Sequence, residues 1–153
     1  MTVNTDIIHV PRGTSLGLHE PNFINNGWII DNGAVEITGQ LSGDGRITVG
    51  GNAILTLDNK VGNGERIALA GQSLGHVGAL LVSTDIEHFQ ATIEWGHGAQ
   101  IEVNAEVASA TFADHMLTLH GPAGEFEGSF RIAGSHASAD FGVMPGQHSY
   151  ITA

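Results

Sequence analysis

Apolar and polar residues alternate with a period of two in short runs spread along this 153-residue chain, and helical periodicity is nearly absent. Successive side chains of a β-strand face opposite ways, so such runs describe strands with one buried face. The runs read Arg46-Ile47-Thr48-Val49, Ala53-Ile54-Leu55-Thr56-Leu57-Asp58, Arg66-Ile67-Ala68-Leu69, Phe89-Gln90-Ala91-Thr92-Ile93-Glu94-Trp95 and Ile101-Glu102-Val103-Asn104. The last third adds Met116-Leu117-Thr118-Leu119-His120, Phe130-Arg131-Ile132, Phe141-Gly142-Val143 and Tyr150-Ile151-Thr152. Aliphatic residues point inward, and Thr, Glu, Asn or Arg point outward.

Glycine-bearing breaks separate the runs, among them Ser42-Gly43-Asp44-Gly45, Gly50-Gly51-Asn52, Gly62-Asn63-Gly64, Gly96-His97-Gly98 and Gly121-Pro122-Ala123-Gly124. The chain holds 22 glycines, about twice the average usage of roughly 7%. Gly and Asn suit sharp corners because they tolerate positive φ. Short strands about 8–12 residues apart indicate an all-β protein. Similar small units follow one another at 33–39, 43–50 and 51–57, which favours a right-handed β-solenoid over a β-sandwich, a barrel or a jelly-roll-like fold. Residues 1–21 hold two of the four prolines and little alternation, so they read as an irregular leader or N-terminal cap. Residues 22–153 read as a single β-solenoid-like domain.

Charge narrows the partners. Five Lys and Arg face sixteen Asp and Glu, a net charge of −11, and Arg131 is the one basic residue beyond position 67. Nucleic-acid binding relies on clustered cations, so no nucleic acid is expected. Anionic membrane surfaces are disfavoured for the same reason. No apolar window approaches the roughly 18 residues of a membrane span, so no membrane insertion is expected. The first ten residues show no basic region followed by an apolar stretch, and no signal peptide is visible. Zero cysteines exclude disulfides and thiolate chemistry.

The run from Asn25-Asn26-Gly27-Trp28-Ile29-Ile30-Asp31-Asn32-Gly33 through Ser42-Gly43-Asp44-Gly45-Arg46-Ile47-Thr48-Val49-Gly50-Gly51-Asn52-Ala53-Ile54-Leu55-Thr56-Leu57 resembles the β-helical passenger repeats of bacterial autotransporter and haemagglutinin-like surface proteins. The likeness continues through Leu80-Leu81-Val82 and Phe89 to Trp95, and covers roughly residues 22–153. The chain departs from those repeats at Gly98-Ala99-Gln100-Ile101-Glu102-Val103 and at Gly146-Gln147-His148-Ser149-Tyr150-Ile151. No cation or assembly role is carried over to these two turns. The resemblance implies an extracellular or cell-surface structural or adhesive module of a bacterium.

Gly71-Gln72-Ser73-Leu74-Gly75 fits the nucleophile-elbow pattern of serine hydrolases, with Asp114 and His136 or His148 as partners. The elbow needs a strand-to-helix turn, and Val77-Gly78-Ala79-Leu80-Leu81-Val82 reads as strand, so Ser73 is expected in an ordinary turn. Asp85 and Glu87 are candidate metal ligands sharing one strand face, which His88 opposes; His115 and His120 also face opposite ways. Asp44 and Asn63 match no repeated calcium pattern. Glu94 and Glu102 offer a carboxylate pair for glycan hydrolysis only if the fold brings them together. The outward Thr48, Thr56, Thr92 and Thr118 are good strand-surface residues.

Trp95 shares parity with Ile93 and belongs to the core, whereas Trp28 and Tyr150 are left as candidates for stacking on a sugar ring, Trp28 foremost. Nine histidines outnumber the basic residues; protonating all of them moves the charge to about −2, so self-association is expected to change between about pH 7 and pH 5. Open edge strands invite self-pairing and make a homo-oligomer a candidate assembly. The expectation is a non-catalytic surface or secreted module, adhesive and glycan-contacting, with no cofactor and no metal. The alternative is a hydrolase acting through Ser73 or a carboxylate pair.

Overall fold

The computed structural model describes residues 2–134, 136 and 140–153. Among them the chain winds into a β-solenoid of about five coils. Each early coil contributes one short strand to each of three sheets. The first coil is β1 (Thr2–Asn4), β2 (Ile7–Val10) and β3 (Ser15–Leu18). The second is β4 (Asn22–Asn25), β5 (Trp28–Asp31) and β6 (Ala34–Ile37), and the third is β7 (Gln40–Ser42), β8 (Arg46–Val49) and β9 (Ile54–Leu57). The next two retain only β10 (Arg66–Leu69) with β11 (Leu80–Ser83), and β12 (Thr92–Trp95) with β13 (Gln100–Val103). Their third side shrinks to single bridges at Val61 and Phe89. Sheet A is β1-β4-β7; sheet B runs through β2, β5, β8, β10 and β12; sheet C runs through β3, β6, β9, β11 and β13.

Parallel pairing in register stacks like upon like. On sheet B, Ile8, Ile29, Ile47, Ile67, Ile93 and Ile132 form one inward column. On sheet C the column is Leu16, Val35, Leu55, Leu81, Ile101 and Ile151. Most of these side chains are completely buried, each contributing roughly 1.5–3 kcal/mol of apolar burial. Corners are built from small residues: Gly33, Ala53, Ala79 and Ala99 precede the paired positions of sheet C, and the three alanines are buried. A Cβ on Gly33 would lie 2.2 Å from the Thr14 carbonyl oxygen, so glycine is required where that corner passes the coil below.

The C-terminal end is covered. β14 (Ser109–Ala113), β15 (Met116–His120) and β16 (Phe126–Ile132) form an antiparallel meander, and β16 rejoins sheet B against β12. β17 (Gly142–Met144) and β18 (Ser149–Thr152) close sheet C, with β18 antiparallel to β13. Trp95 packs on Phe141 at 5.3 Å between ring centroids, and its indole N–H donates to the Ala99 carbonyl at 2.9 Å. Its place in the core follows its parity with Ile93.

The structure corrects three expectations. Residues 2–18 are the first coil, not an irregular leader: Pro11 and Pro21 sit at corners, where their carbonyls accept hydrogen bonds from the Thr14 and Gln40 amides. The run from Phe89 to Trp95 is not one strand. Phe89 belongs beside Val61 and Thr92–Trp95 lies in sheet B, because buried Ala91 turns the corner without breaking parity. Residues Ile86–His88 form a 3₁₀ turn rather than a strand, which swings His88 toward Asp85 instead of away from it.

Candidate functional site

The outer face of sheet B concentrates the chain's chemistry. The register places Ile7, Trp28, Arg46, Arg66, Thr92 and Arg131 in one outward column. Beside it Ile30, Thr48, Ala68 and Glu94 form a second. Trp28 is 39% exposed, and its indole N–H donates to the Thr48 hydroxyl one coil along at 2.8 Å. The ring is therefore held against the sheet by its polar edge and keeps part of its surface in water.

Arg46 and Arg66 are direct neighbours across the β8–β10 pair. Like charges placed so are mutually destabilising. Glu94 answers both, with its carboxylate oxygens 3.0 Å from an Arg46 Nη and 3.6 Å from an Arg66 Nη. It also lines a shallow groove of about 460 Å³ floored by small or buried residues, including Ala68, Ala70, Trp95 and Gly96. The guanidiniums thus meet the groove at Glu94.

The other predicted residues are scattered. Ser73 is exposed at a hairpin closed by mutual backbone hydrogen bonds with His76, at 3.1 and 3.0 Å. Gly75 takes φ of 79° in that turn. The His76 Nδ1 lies 3.1 Å from an Arg12 Nη and 2.9 Å from the Asn52 amide nitrogen, so its ring is engaged away from Ser73. Asp114 sits in the β14–β15 turn, His136 packs on Phe112 and Phe141, and His148 precedes β18. None of the three hydrogen-bonds Ser73 among the described residues. Glu94 and Glu102 lie on different sheets, B and C, both on outer faces.

Asp85 holds His88 at 2.8 Å, and Glu87 is exposed beside them. Among the described residues no group of three His, Asp or Glu side chains converges as a metal site requires. His115 adopts φ of 62° in a turn, while the His120 ring meets the Thr111 hydroxyl at 3.2 Å. No described helix is long and apolar enough to cross a membrane.

Two carboxyls were missed in sequence, and both are inside. Glu65 and Asp31 are fully buried, each with one carboxyl oxygen lacking a hydrogen-bond partner. Burial pushes Glu65 up to about 7; hydrogen bonds from Asn25 and the Gly45 backbone oppose the shift, and the nearby Asp44 charge adds to it. Burial likewise raises Asp31 to about 6, against hydrogen bonds from the Gly33 and Val35 backbone. Both face the solenoid interior, where their charge state bears on stability. No protein-family model matches the chain, and no curated protein sequence matches it.

Proposed function

We propose that this solenoid is a non-catalytic structural or adhesive module of a surface or secreted protein, and that it contacts glycan through the outer face of sheet B. One observation carries the reading: a half-exposed indole fixed by Thr48 stands on the same face as a shallow, small-residue groove with charged hydrogen-bonding groups at its side. An amphipathic ring held in place loses little entropy on stacking against a sugar. The only carboxylate lining that groove among the described residues is Glu94, already shared by two guanidiniums, whereas glycoside hydrolysis commonly uses two carboxyls flanking one bond.

The first coil supports a second feature of the same reading. β1, β2 and β3 each end a sheet with one edge unpaired by any described strand, and Val3 and Ile7 are exposed there. Open edges of this kind pair with another chain, so the module self-associates through its first coil.

The test is a glycan array probed with the whole chain and with Trp28→Ala, alongside a reducing-sugar assay on every glycan bound. The reading expects binding that Trp28→Ala weakens and no product over time. Release of new reducing ends, or ester cleavage abolished by Ser73→Ala, would replace it with the hydrolase alternative.

A further inference from the structure

We infer that the ligand of the sheet B face is an anionic glycan, an extended chain bearing carboxylate groups, laid along the outward column from Trp28 to Arg131. The inference rests on the glycan-contact reading and adds the charge of the ligand and its direction on the face.

Position carries it first. Three of the five Lys and Arg residues of a chain with net charge −11 fall in a single column. Arg46 and Arg66 occupy adjacent rungs, Thr92 the next, and Arg131 the one after. Rungs of a sheet are about 4.8 Å apart, so Trp28 and Arg131 are separated by about 19 Å of straight track. A ligand that satisfies them together is elongated and runs across the strands, parallel to the solenoid axis.

Charge carries it second. Stacked guanidiniums repel, and Glu94 supplies one negative charge for the two of them. No described carboxylate forms an ion pair with Arg131, which is exposed. The column therefore keeps an excess of positive charge on an otherwise strongly acidic molecule. Guanidinium presents paired N–H donors in the fork geometry that carboxylate accepts. Trp28, at one end, supplies the stacking platform that a sugar ring uses and a simple inorganic anion does not.

The same charge balance argues against nucleic acid. A duplex carries one phosphate charge per roughly 1.7 Å of axis, and three guanidiniums partly neutralised by Glu94 oppose little of that charge beside a net −11. A carboxylated glycan has charges set farther apart and sugar faces exposed between them, which suits a track made of an indole, an adjacent arginine pair and a third arginine two rungs on.

The experiment compares retention of the whole chain by affinity electrophoresis in gels containing polygalacturonate, its fully methyl-esterified form, or no polysaccharide. Polygalacturonate is expected to retard the chain, and the ester, with the same backbone and no charge, much less. The double variant Arg66→Gln with Arg131→Gln should weaken retention by about tenfold, with its melting temperature confirming that the fold persists. Lys60→Gln, off the column, should leave retention unchanged. Equal retention by acid and ester would overturn the anionic assignment and leave glycan contact standing. Retention by neither, with no binding on the glycan array, would remove the underlying reading as well. Tighter binding of a single-stranded oligonucleotide than of polygalacturonate would overturn the glycan in favour of nucleic acid.

Discussion

The Glu65 carboxylate accepts a hydrogen bond from the Asn25 amide at 3.2 Å although a complete coil lies between them. Asn25 in turn accepts from the Asn4 amide at 2.9 Å, so one polar column reaches from the first coil to the fourth at the corner leading into sheet B. The intervening coil permits it because its residue at the Glu65 register position is Gly45, which has no side chain to fill the gap. A Cβ there would lie 2.6 Å from both the Asn25 amide nitrogen and the Gly27 carbonyl oxygen.

Gly45→Ala should therefore destabilise the fold by more than a helix-propensity or loop-entropy argument suggests. The methyl collides with fixed backbone and displaces a buried amide from its acceptor, together costing on the order of 2–4 kcal/mol. Thermal melting checks this against Gly124→Ala. Gly124 has open space around it but a φ of 83°, so that variant shows the cost of backbone strain alone. Equal losses in the two variants would refute a crowded corner.

Glu65 also makes stability depend on pH in an unusual direction. The unfolded carboxyl titrates near 4.5 and the folded one at about 7. Between those values the folded chain binds more protons at Glu65 than the unfolded chain, so the contribution of Glu65 to stability is fully present below about pH 4.5 and is lost as pH rises through about 7. Asp31, raised from 3.8 to about 6, acts with the same sign. The ionisation of each buried carboxyl costs on the order of 3 kcal/mol. Glu65→Gln keeps an acceptor for Asn25 and cannot ionise. It should raise the denaturation midpoint at pH 8, change it little at pH 4.5, and flatten the profile between. A variant that tracks the parent at both pH values would show that Glu65 does not carry the effect.

Two strands consecutive in the chain, β9 and β10, supply a contrast between the inner and outer faces of the sheets. Ile67 is completely buried in the sheet B column, whereas Ile54 is 40% exposed on the outside of sheet C. Ile67→Ala should cost about 2–5 kcal/mol because the coils above and below cannot close the gap. Ile54→Ala should cost about 1 kcal/mol or less. Urea titration of the two variants measures both, and similar midpoints would contradict a dry interior stacked coil on coil.

Much of this architecture was legible because stacking preserves the period of two. β8, β10 and β15 begin and end where their alternation does, and Trp95 sits where parity with Ile93 puts it. Corners were harder to read. Ala53 and Ala91 face inward like strand residues, so the pattern runs through the bend, and at Phe89–Trp95 it joined two sides of the coil into one run. Asp85–His88 alternates on paper but turns through a 3₁₀ helix, which no parity argument registers. Glu65 lies between the Gly62-Asn63-Gly64 break and the run that starts at Arg66, where no alternation marks it as inward. The available signal was Gly27 and Gly45 at the matching register position in earlier coils, which is visible only once the coil boundaries are known. The arginine column was hidden for the same reason, since Arg46, Arg66 and Arg131 are distant in sequence and become neighbours only through register.

The covered end of sheet C depends on Ser149. Its hydroxyl donates to the Ala105 carbonyl at 2.8 Å and accepts from the Val107 amide at 2.8 Å, and the residue is completely buried. It ties the connection after β13 to the start of β18, the strand that covers β13. Ser149→Ala leaves a buried N–H unsatisfied, at a cost of about 1–3 kcal/mol. That loss should fall first on β17 and β18, which close the end of their sheet with β17 as its edge strand. Hydrogen exchange is expected to accelerate in 142–152 while Ile47 and Ile67 stay protected. With β18 loosened, the edge of β13 becomes available to a second chain, so the variant should also associate more than the parent at equal concentration. Uniform acceleration across all coils would mean that the cap and the coils unfold as one unit, and that Ser149 secures the whole solenoid rather than its end.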